Sequence, residues 1–364
     1  MKIKEITDLI EEYAPLCYQE SYDNSGMQIG DKEATIKGIL LTIDVTEEVI
    51  NEAIEKGCNL ILAHHPLIFG KIKKITGHDH VERCIIKAIK HDIAIYASHT
   101  NMDKMKNGVS ARLADKLGLK DCEILAPETD CLFKLITFTP DSHAENVRQA
   151  LFAIGAGGIG KYDKCSYGSE GIGTFRANDD CQPFVGEIGE YHQEKEIKIE
   201  VILKKELIGK AIAALIAAHP YEEPAYDIFK LHNEYNGVGL GIIGNLPEKV
   251  KTLPFLKEIK ERLQIGAIRY TTPTKDWIQR IALCGGSGAE FINTAIAKGA
   301  DLYISGDFKY HQLFDAENKI TIADVGHFES EQFTKEIFFE IVSKNNPKFA
   351  IQFSDYKTNP INYI

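Results

Sequence analysis

The chain has 364 residues, 44% of them hydrophobic and 26% charged. At roughly 150 residues per domain this length predicts two or three domains, and the composition excludes disordered, collagen-like and fibrous chains. Basic residues number 42 and acidic ones 53, so the formal charge of −11 argues against a partner bound through its phosphate backbone.

Ile6, Leu9, Ile10 and Tyr13 recur at helical spacing. Residues 39–43 form an apolar run, read as a buried strand. Asp44 or Thr46 can cap the following helix, whose Val49, Ile50, Ala53 and Ile54 share one face before Gly57 ends it. Strands over 60–63 and 93–97 alternate with helices over 81–90 and 109–117, a rhythm that predicts a mostly parallel sheet.

The middle of the chain reads differently. A strand over 135–138, a helix over 144–154, strands over 171–175 and 197–203, a helix over 205–218 and a strand over 226–231 give the ferredoxin-like order β-α-β-β-α-β. Pro127 precedes this stretch and Asn236-Gly237 follows it. The first rhythm then resumes. A helix covers 254–263, a strand 281–284, a GGSG turn 285–288 and a helix 289–297. Strands over 302–304 and 320–323 follow, then a helix from 329 to 342.

The expected fold is α/β, with a core of mixed or mostly parallel sheet flanked by helices and built from residues 1–127 and 237–364. A ferredoxin-like α+β domain is inserted over 128–236. Three consecutive domains are the alternative. Insertion fits better because the two flanks share one rhythm and each is short for a sheet of its own.

The longest apolar stretch, 207–218, is interrupted by Lys210 and falls short of the ~20 residues that span a bilayer. The opening MKIKEITDLIEE is amphipathic and lacks the apolar region of a signal peptide. The eight cysteines include no CxxC pair, which disfavours a disulfide framework or thiolate zinc site and predicts a reduced, cytoplasmic protein with no membrane partner.

Three polar clusters close three predicted strands. Ala63-His64-His65-Pro66 ends the strand over 60–63. Ser98-His99-Thr100-Asn101-Met102-Asp103 follows 93–97. Asp324-Val325-Gly326-His327-Phe328-Glu329-Ser330-Glu331 follows 320–323. Carboxyl ends of strands are where open α/β sheets bind ligands. Histidine and carboxylate donors without cysteine suit zinc, manganese or iron.

Spacing selects among them. His327 and Glu331 are i and i+4 as a helix begins, so both can face one point, while Glu329 projects away. Adjacent His64 and His65 diverge and serve two neighbouring ions more naturally than one. His65 with Asp103 is one expected pair and His64 with His327 the other, bridged by Glu331. Five ligands for two divalent ions leave positions for water, the catalytic pattern rather than the structural one. Singly, a His-His pair reads as a turn feature and an HxxxE helix as a solvated face. Their conjunction at one sheet edge carries the metal reading.

Other residues are ambivalent. His99 is either a catalytic base or ligand partner, or a strand-end histidine bonded to backbone. The GGSG turn can cradle phosphate at a helix start, yet lacks the lysine of a P-loop and equally suits a tight turn. Lys309, Tyr310 and His311 can meet an anionic substrate or simply face solvent. Residues 155–160, GAGGIG, follow a helix and so are not a dinucleotide fingerprint. Residues 219–224, HPYEEP, can shape a pocket or an oligomer contact.

AHHPLIF, SHTNMD and DVGHFESE, in that order, resemble the Ngg-interacting-factor-three-like family, whose members are also called GTP cyclohydrolase 1 type 2 homologues. The segment Tyr22-Asp23-Asn24-Ser25-Gly26-Met27-Gln28-Ile29-Gly30 is similar to the family's WDN-x-G-L-Q-x-G start, with Tyr22 for Trp and Met27 for Leu. Gly285-Gly286-Ser287-Gly288 and Ser305-Gly306-Asp307-Phe308-Lys309-Tyr310-His311 match as well. HPYEEP looks like the signature of the PII- and CutA-like insertion of longer bacterial members. The resemblance implies a two-metal site on His64, His65, Asp103, His327 and Glu331, the set that spacing also favours. It further implies a homo-oligomer in the form of a hexameric ring.

Two functions remain open. One is a metal-dependent hydrolase of a small molecule such as a nucleotide, by guanine ring opening with formate release or by phosphate-ester hydrolysis. The other is a non-catalytic metal-binding, regulatory or metal-delivery protein. Nucleic-acid binding is disfavoured, because no basic stretch is interleaved with aromatic residues.

Overall fold

Short, wholly apolar runs are stable as strands only when both faces are covered, and the first part of the chain supplies those covers in alternation. The computed structural model describes residues 1–345 and 349–364. The chain divides into two units, Met1–Pro127 with Asn236–Ile364, and Glu128–Tyr235.

The first unit begins with helix α1 (Ile3–Tyr13), strands β1 (Gly26–Ile29) and β2 (Ile39–Thr42) and helix α2 (Glu47–Glu55). There follow β3 (Leu60–Ala63), α3 (His80–Lys90), β4 (Ala94–Ala97), the single turn α4 (Thr100–Asp103), α5 (Val109–Leu117) and β5 (Lys120–Glu128). Strands β2, β3 and β4 pair in parallel, and β1 runs antiparallel beside β4.

Alternate residues point into two cores. Ile39, Leu41, Leu60, Leu62 and Tyr96 pack against Ile3, Ile6 and Ile10 of α1. Leu40, Ile61, Ala63 and Ile95 pack against α2 and α3 through Val49, Ile50, Cys84 and Ile85. Each buried Leu or Ile contributes roughly 1.5–3 kcal/mol, so register is held on both faces. Thr46 caps α2, its hydroxyl accepting from the Val49 N–H at 3.3 Å. This resolves the choice between Thr46 and Asp44 and leaves the Asp44 carboxylate for other partners.

The second unit runs β6 (Leu132–Pro140), α6 (Asp141–Ala153), β7 (Ser166–Arg176), β8 (Tyr191–Lys204), α7 (Ile208–Ala218) and β9 (Tyr226–Leu231). Its sheet has the order β7-β8-β6-β9 and is antiparallel throughout. Val147, Leu151, Ala211 and Leu215 of the two helices pack on Leu135, Ile199 and Val201 of the sheet.

The chain then returns to the first unit with β10 (Tyr235–Lys251), α8 (Thr252–Arg262), β11 (Arg269–Tyr270), β12 (Trp277–Ser287), α9 (Ile292–Ala297), β13 (Leu302–Gly306) and β14 (Thr321–Asp324). Last come α10 (His327–Glu331), α11 (Thr334–Asn345) and β15 (Ile351–Phe353). A second sheet has the order β11-β14-β13-β12-β10-β5, with β12, β13 and β14 parallel. Strand β15 joins the first sheet in parallel beside β2.

Some features depart from the pattern reading. Asn236-Gly237 lies inside the 17-residue β10 rather than in a linker. The helix expected over 329–342 is two helices, α10 and α11. Tyr310 and His311 open a 3-10 turn over Tyr310–Ala316 and are exposed, in keeping with the solvent-facing alternative.

Thr46→Ala removes the cap of α2 and is expected to cost about 1 kcal/mol of unfolding free energy. Chemical denaturation measures it. An unchanged midpoint and slope would remove Thr46 from the account of α2.

Candidate metal centre

The carboxyl ends of the parallel strands carry the polar residues. Asp44 follows β2, His64 and His65 follow β3, and His99 follows β4 with Asp103 one helical turn later. From the second sheet, Asp307 follows β13, and α10 after β14 carries His327 and Glu331. These two edges face each other. Glu331 Oε2 lies 2.9 Å from His65 Nε2, 3.1 Å from His327 Nε2 and 3.6 Å from His64 Nε2. Asp103 Oδ1 lies 3.5 Å from His64 Nε2.

Each imidazole is aimed by its other nitrogen. His64 Nδ1 donates to the Ser98 carbonyl at 2.9 Å. His65 Nδ1 donates to Asp44 Oδ1 at 2.7 Å, and His327 Nδ1 to Asp307 Oδ2 at 2.8 Å. With a proton required on Nδ1, a neutral ring turns the Nε2 lone pair inward. His65 Nε2 and His327 Nε2 then meet at 3.3 Å. Two buried atoms, His64 Nε2 and Asp103 Oδ1, have no hydrogen-bond partner.

This donor set fits a cation. Donors bound at 2.0–2.2 Å around a tetrahedral ion stand about 3.4 Å apart, and the distances above bracket that value. The donor atoms of His64, His65 and Glu331 all lie within 4.8 Å of one another, a group able to hold a metal ion.

In the metal-free protein, protons take the place of a cation. Burial lowers the His65 pKa, but hydrogen bonds to Asp44 and Glu331 outweigh it and raise it to about 10. His327 rises to about 9 against the same opposition, through Glu331 and Asp307. Burial pushes the Asp103 carboxyl up. Glu331 is also opposed by burial, yet the surrounding histidines hold it well below the usual carboxylate range.

All five residues proposed as ligands, and His99, lie in this region, but the pairing differs from expectation. His64 sits with Asp103 and His65 with His327, not the reverse. His64 is fully buried and turned toward α4, whereas His65 and His327 are 22% and 33% exposed at the open side. His99 bonds through Nδ1 to Asp23 Oδ1 at 2.8 Å. Burial opposes ionisation of Asp23, but hydrogen bonds from His99 and Thr100 keep its carboxyl well below the usual range. The exposed rings of Tyr22 and Phe69 stand 6.3 Å apart, with Phe69 6.1 Å from His99.

Pattern reading passed over Asp44 and Asp307, although both follow strands and the strand-end rule would have found them. The GGSG segment is not the expected turn: its first three residues are the end of β12, and it packs against α10. The Gly285 and Gly286 N–H groups donate to the Ser110 and Ser330 hydroxyls, so neither is free for phosphate. Gly286 has φ +65°, and a Cβ there would come within 2.2 Å of Glu331 Oε1.

The family model described as Duf34/NIF3 (NGG1p interacting factor 3) matches residues 1–360. A Halalkalibacterium halodurans protein named GTP cyclohydrolase 1 type 2 homolog is 40% identical over 364 residues, 99% of this chain and 98% of that protein. A Bacillus subtilis protein of the same name is 38% identical over 366 residues, with 99% and 98% covered. The crystal structure of a Bacillus cereus protein related to NIF3 matches with a TM-score of 0.84 at 39% identity, covering 100% of this chain and 99% of the other.

Two outcomes follow for stability. In chelator-stripped protein, the proton on His65 stabilises the fold fully below its ordinary pKa of 6.5, and this contribution is lost as pH rises through about 10. Calorimetry is expected to show Tm falling between pH 7 and 10, and falling less in His65→Gln; equal slopes would refute the assignment. Gly286→Ala combines a left-handed backbone with a collision at Glu331, for an expected loss of about 1–3 kcal/mol. Denaturation of the two proteins side by side measures that difference.

Proposed function

This chain belongs to the Duf34/NIF3 family, and from that premise we propose that it is a dinuclear metal-dependent hydrolase of a nucleotide or related phosphate ester. The observation that carries the proposal is the convergence of five donor atoms, two of them buried with no other partner. His64 and Asp103 would hold one divalent ion, His65 and His327 the other, with Glu331 shared. Zinc, manganese and iron all suit these donors. Two such ions supply Lewis-acid polarisation of a substrate oxygen and a water acidic enough to react near neutral pH.

The chain's own residues do the rest. Asp44, Asp307 and the Ser98 carbonyl hold three imidazoles in register. His99, oriented through Nδ1 by ionised Asp23, takes up or releases a proton at Nε2. The exposure of His65 and His327 favours substrate entry from their side. Tyr22 and Phe69 offer aromatic surface beside His99, which favours a substrate carrying a planar base over an aliphatic ester. The small-molecule substrate, the hexameric ring implied by the family resemblance and the cytoplasmic setting expected from the cysteines belong to the same proposal.

Elemental analysis of purified and reconstituted protein tests the metal reading. About two ions per chain are expected in the wild type and fewer in His65→Ala and Glu331→Gln. No divalent ion after reconstitution would sink it. His99→Gln is expected to keep its metal and lose about 10²–10⁴-fold in kcat on whichever nucleotide or phosphate ester the wild type hydrolyses. Two bound ions with no turnover on any of these compounds would favour metal delivery over hydrolysis.

A further inference from the structure

The segment after β15 is exposed at residues 355–357 and again from 360 onward, but Thr358 and Asn359 between them are half-buried. These two side chains land on carboxylates beside the metal centre. The Thr358 hydroxyl donates to Asp44 Oδ2 at 2.6 Å. Asp44 Oδ1 is the oxygen that holds His65 Nδ1. Asn359 Nδ2 donates to Glu329 Oε1 at 3.0 Å, and the Tyr363 hydroxyl reaches the same oxygen at 3.4 Å. Glu329 is 5% exposed and stands on α10 between His327 and Glu331.

Both ends of the segment are anchored. Upstream, the Ser354 hydroxyl and the Asp355 N–H donate to Glu52 of α2 at 2.5 and 2.8 Å. Downstream, the Tyr363 ring lies on Gly266, where a Cβ would come within 2.5 Å of it.

We infer that this segment is a strap that positions the metal centre, with Thr358 as the positioning residue for His65. The inference rests on the metal reading proposed above. A carboxylate held at one oxygen can still pivot about its Cβ–Cγ bond. A second donor on its other oxygen fixes its plane, and with it the direction of the His65 ring. Asn359 and Tyr363 both bond one oxygen of Glu329, Oε1, and so hold the segment to α10. None of the three touches a proposed ligand. The effect is one-sided, because His64 is aimed by the Ser98 carbonyl and not by the strap.

The test is stepwise zinc titration of full-length, metal-stripped protein against a chromophoric chelator. Thr358→Val keeps the side-chain shape and removes the donor. It is expected to weaken one of the two zinc ions about tenfold, the low end for partners of ligating histidines, and to leave the other and the Tm unchanged. Thr358→Ser restores the hydroxyl and is expected to restore the affinity. Two unchanged affinities in a folded Thr358→Val protein overturn the strap and leave the metal reading standing. Equal weakening of both ions, with a lowered Tm and no rescue by Ser, also overturns it, because that is a general loss of structure. Failure of the wild type to bind zinc overturns both readings.

Discussion

Three imidazole nitrogens crowd one carboxylate oxygen, Glu331 Oε2, at 2.9, 3.1 and 3.6 Å, and most of the first unit is arranged to make that crowding possible. Neutral imidazoles with outward N–H groups would bring bare lone pairs together. Protonated ones would bring like charges together. Glu331 can balance one such charge but not three, and Asp44 and Asp307 offset the others only from the outer nitrogens. The arrangement is therefore costly without cations, protons in the metal-free protein or metal ions in the proposed holoprotein. The raised pKa values of His65 and His327 and the depressed one of Glu331 express the same constraint from the proton side.

The backbone submits to it as well. Strand β12 approaches Glu331 through Gly286 in a left-handed conformation, where any side chain would occupy the place of the carboxylate. Ser330 then accepts the Gly286 N–H, which ties α10 to that strand. What suits either a phosphate cradle or a tight turn in sequence is a clearance for a carboxylate. The break between α10 and α11 follows similar logic. Glu331 closes a five-residue helix that faces the site, and α11 starts afresh to bury Ile337, Phe338 and Val342 on the first sheet.

Much of this was legible in the sequence, for reasons that differ by element. Helix α5 and strand β9 carry strong periodicity between clear breakers and agree in both boundaries. Strands β2, β3, β13 and β14 announce themselves as short apolar runs. By contrast β1, β11 and β15 are edge or near-edge strands of two to four residues, too short for a period to register. Strand β10 runs through Asn236-Gly237, a pair with turn chemistry that long-range pairing overrides. At the site, residue types and helical spacing pointed to five residues that the structure gathers around Glu331 and Asp103. Neither could give the pairing, because that depends on which way two adjacent histidines turn, and Asp44 and Ser98 decide this from other strands. Asp44 was hidden for a further reason: local pattern offered it a plausible task as helix cap, which Thr46 in fact performs.

The proposed ligands come from both sheets of the first unit. His64, His65 and Asp103 belong to the first, and His327 and Glu331 to the second. The cores beneath these sheets are separate clusters of buried side chains. A cation held by donors of both sheets would add a tie that hydrophobic packing within each sheet does not provide. Its binding free energy would then be folding free energy for the junction. Unpaired buried polar atoms cost about 1–3 kcal/mol each, so His64 Nε2 and Asp103 Oδ1 weaken the junction when no ion is bound. The strap crosses the same junction through hydrogen bonds. It leaves the first sheet at β15, braces Asp44 of that sheet, and ends on Glu329 of α10 beyond the second. The strap would thus refine the aim of His65 at a spacing that the two sheets already set, while His64 keeps its aim through the Ser98 carbonyl.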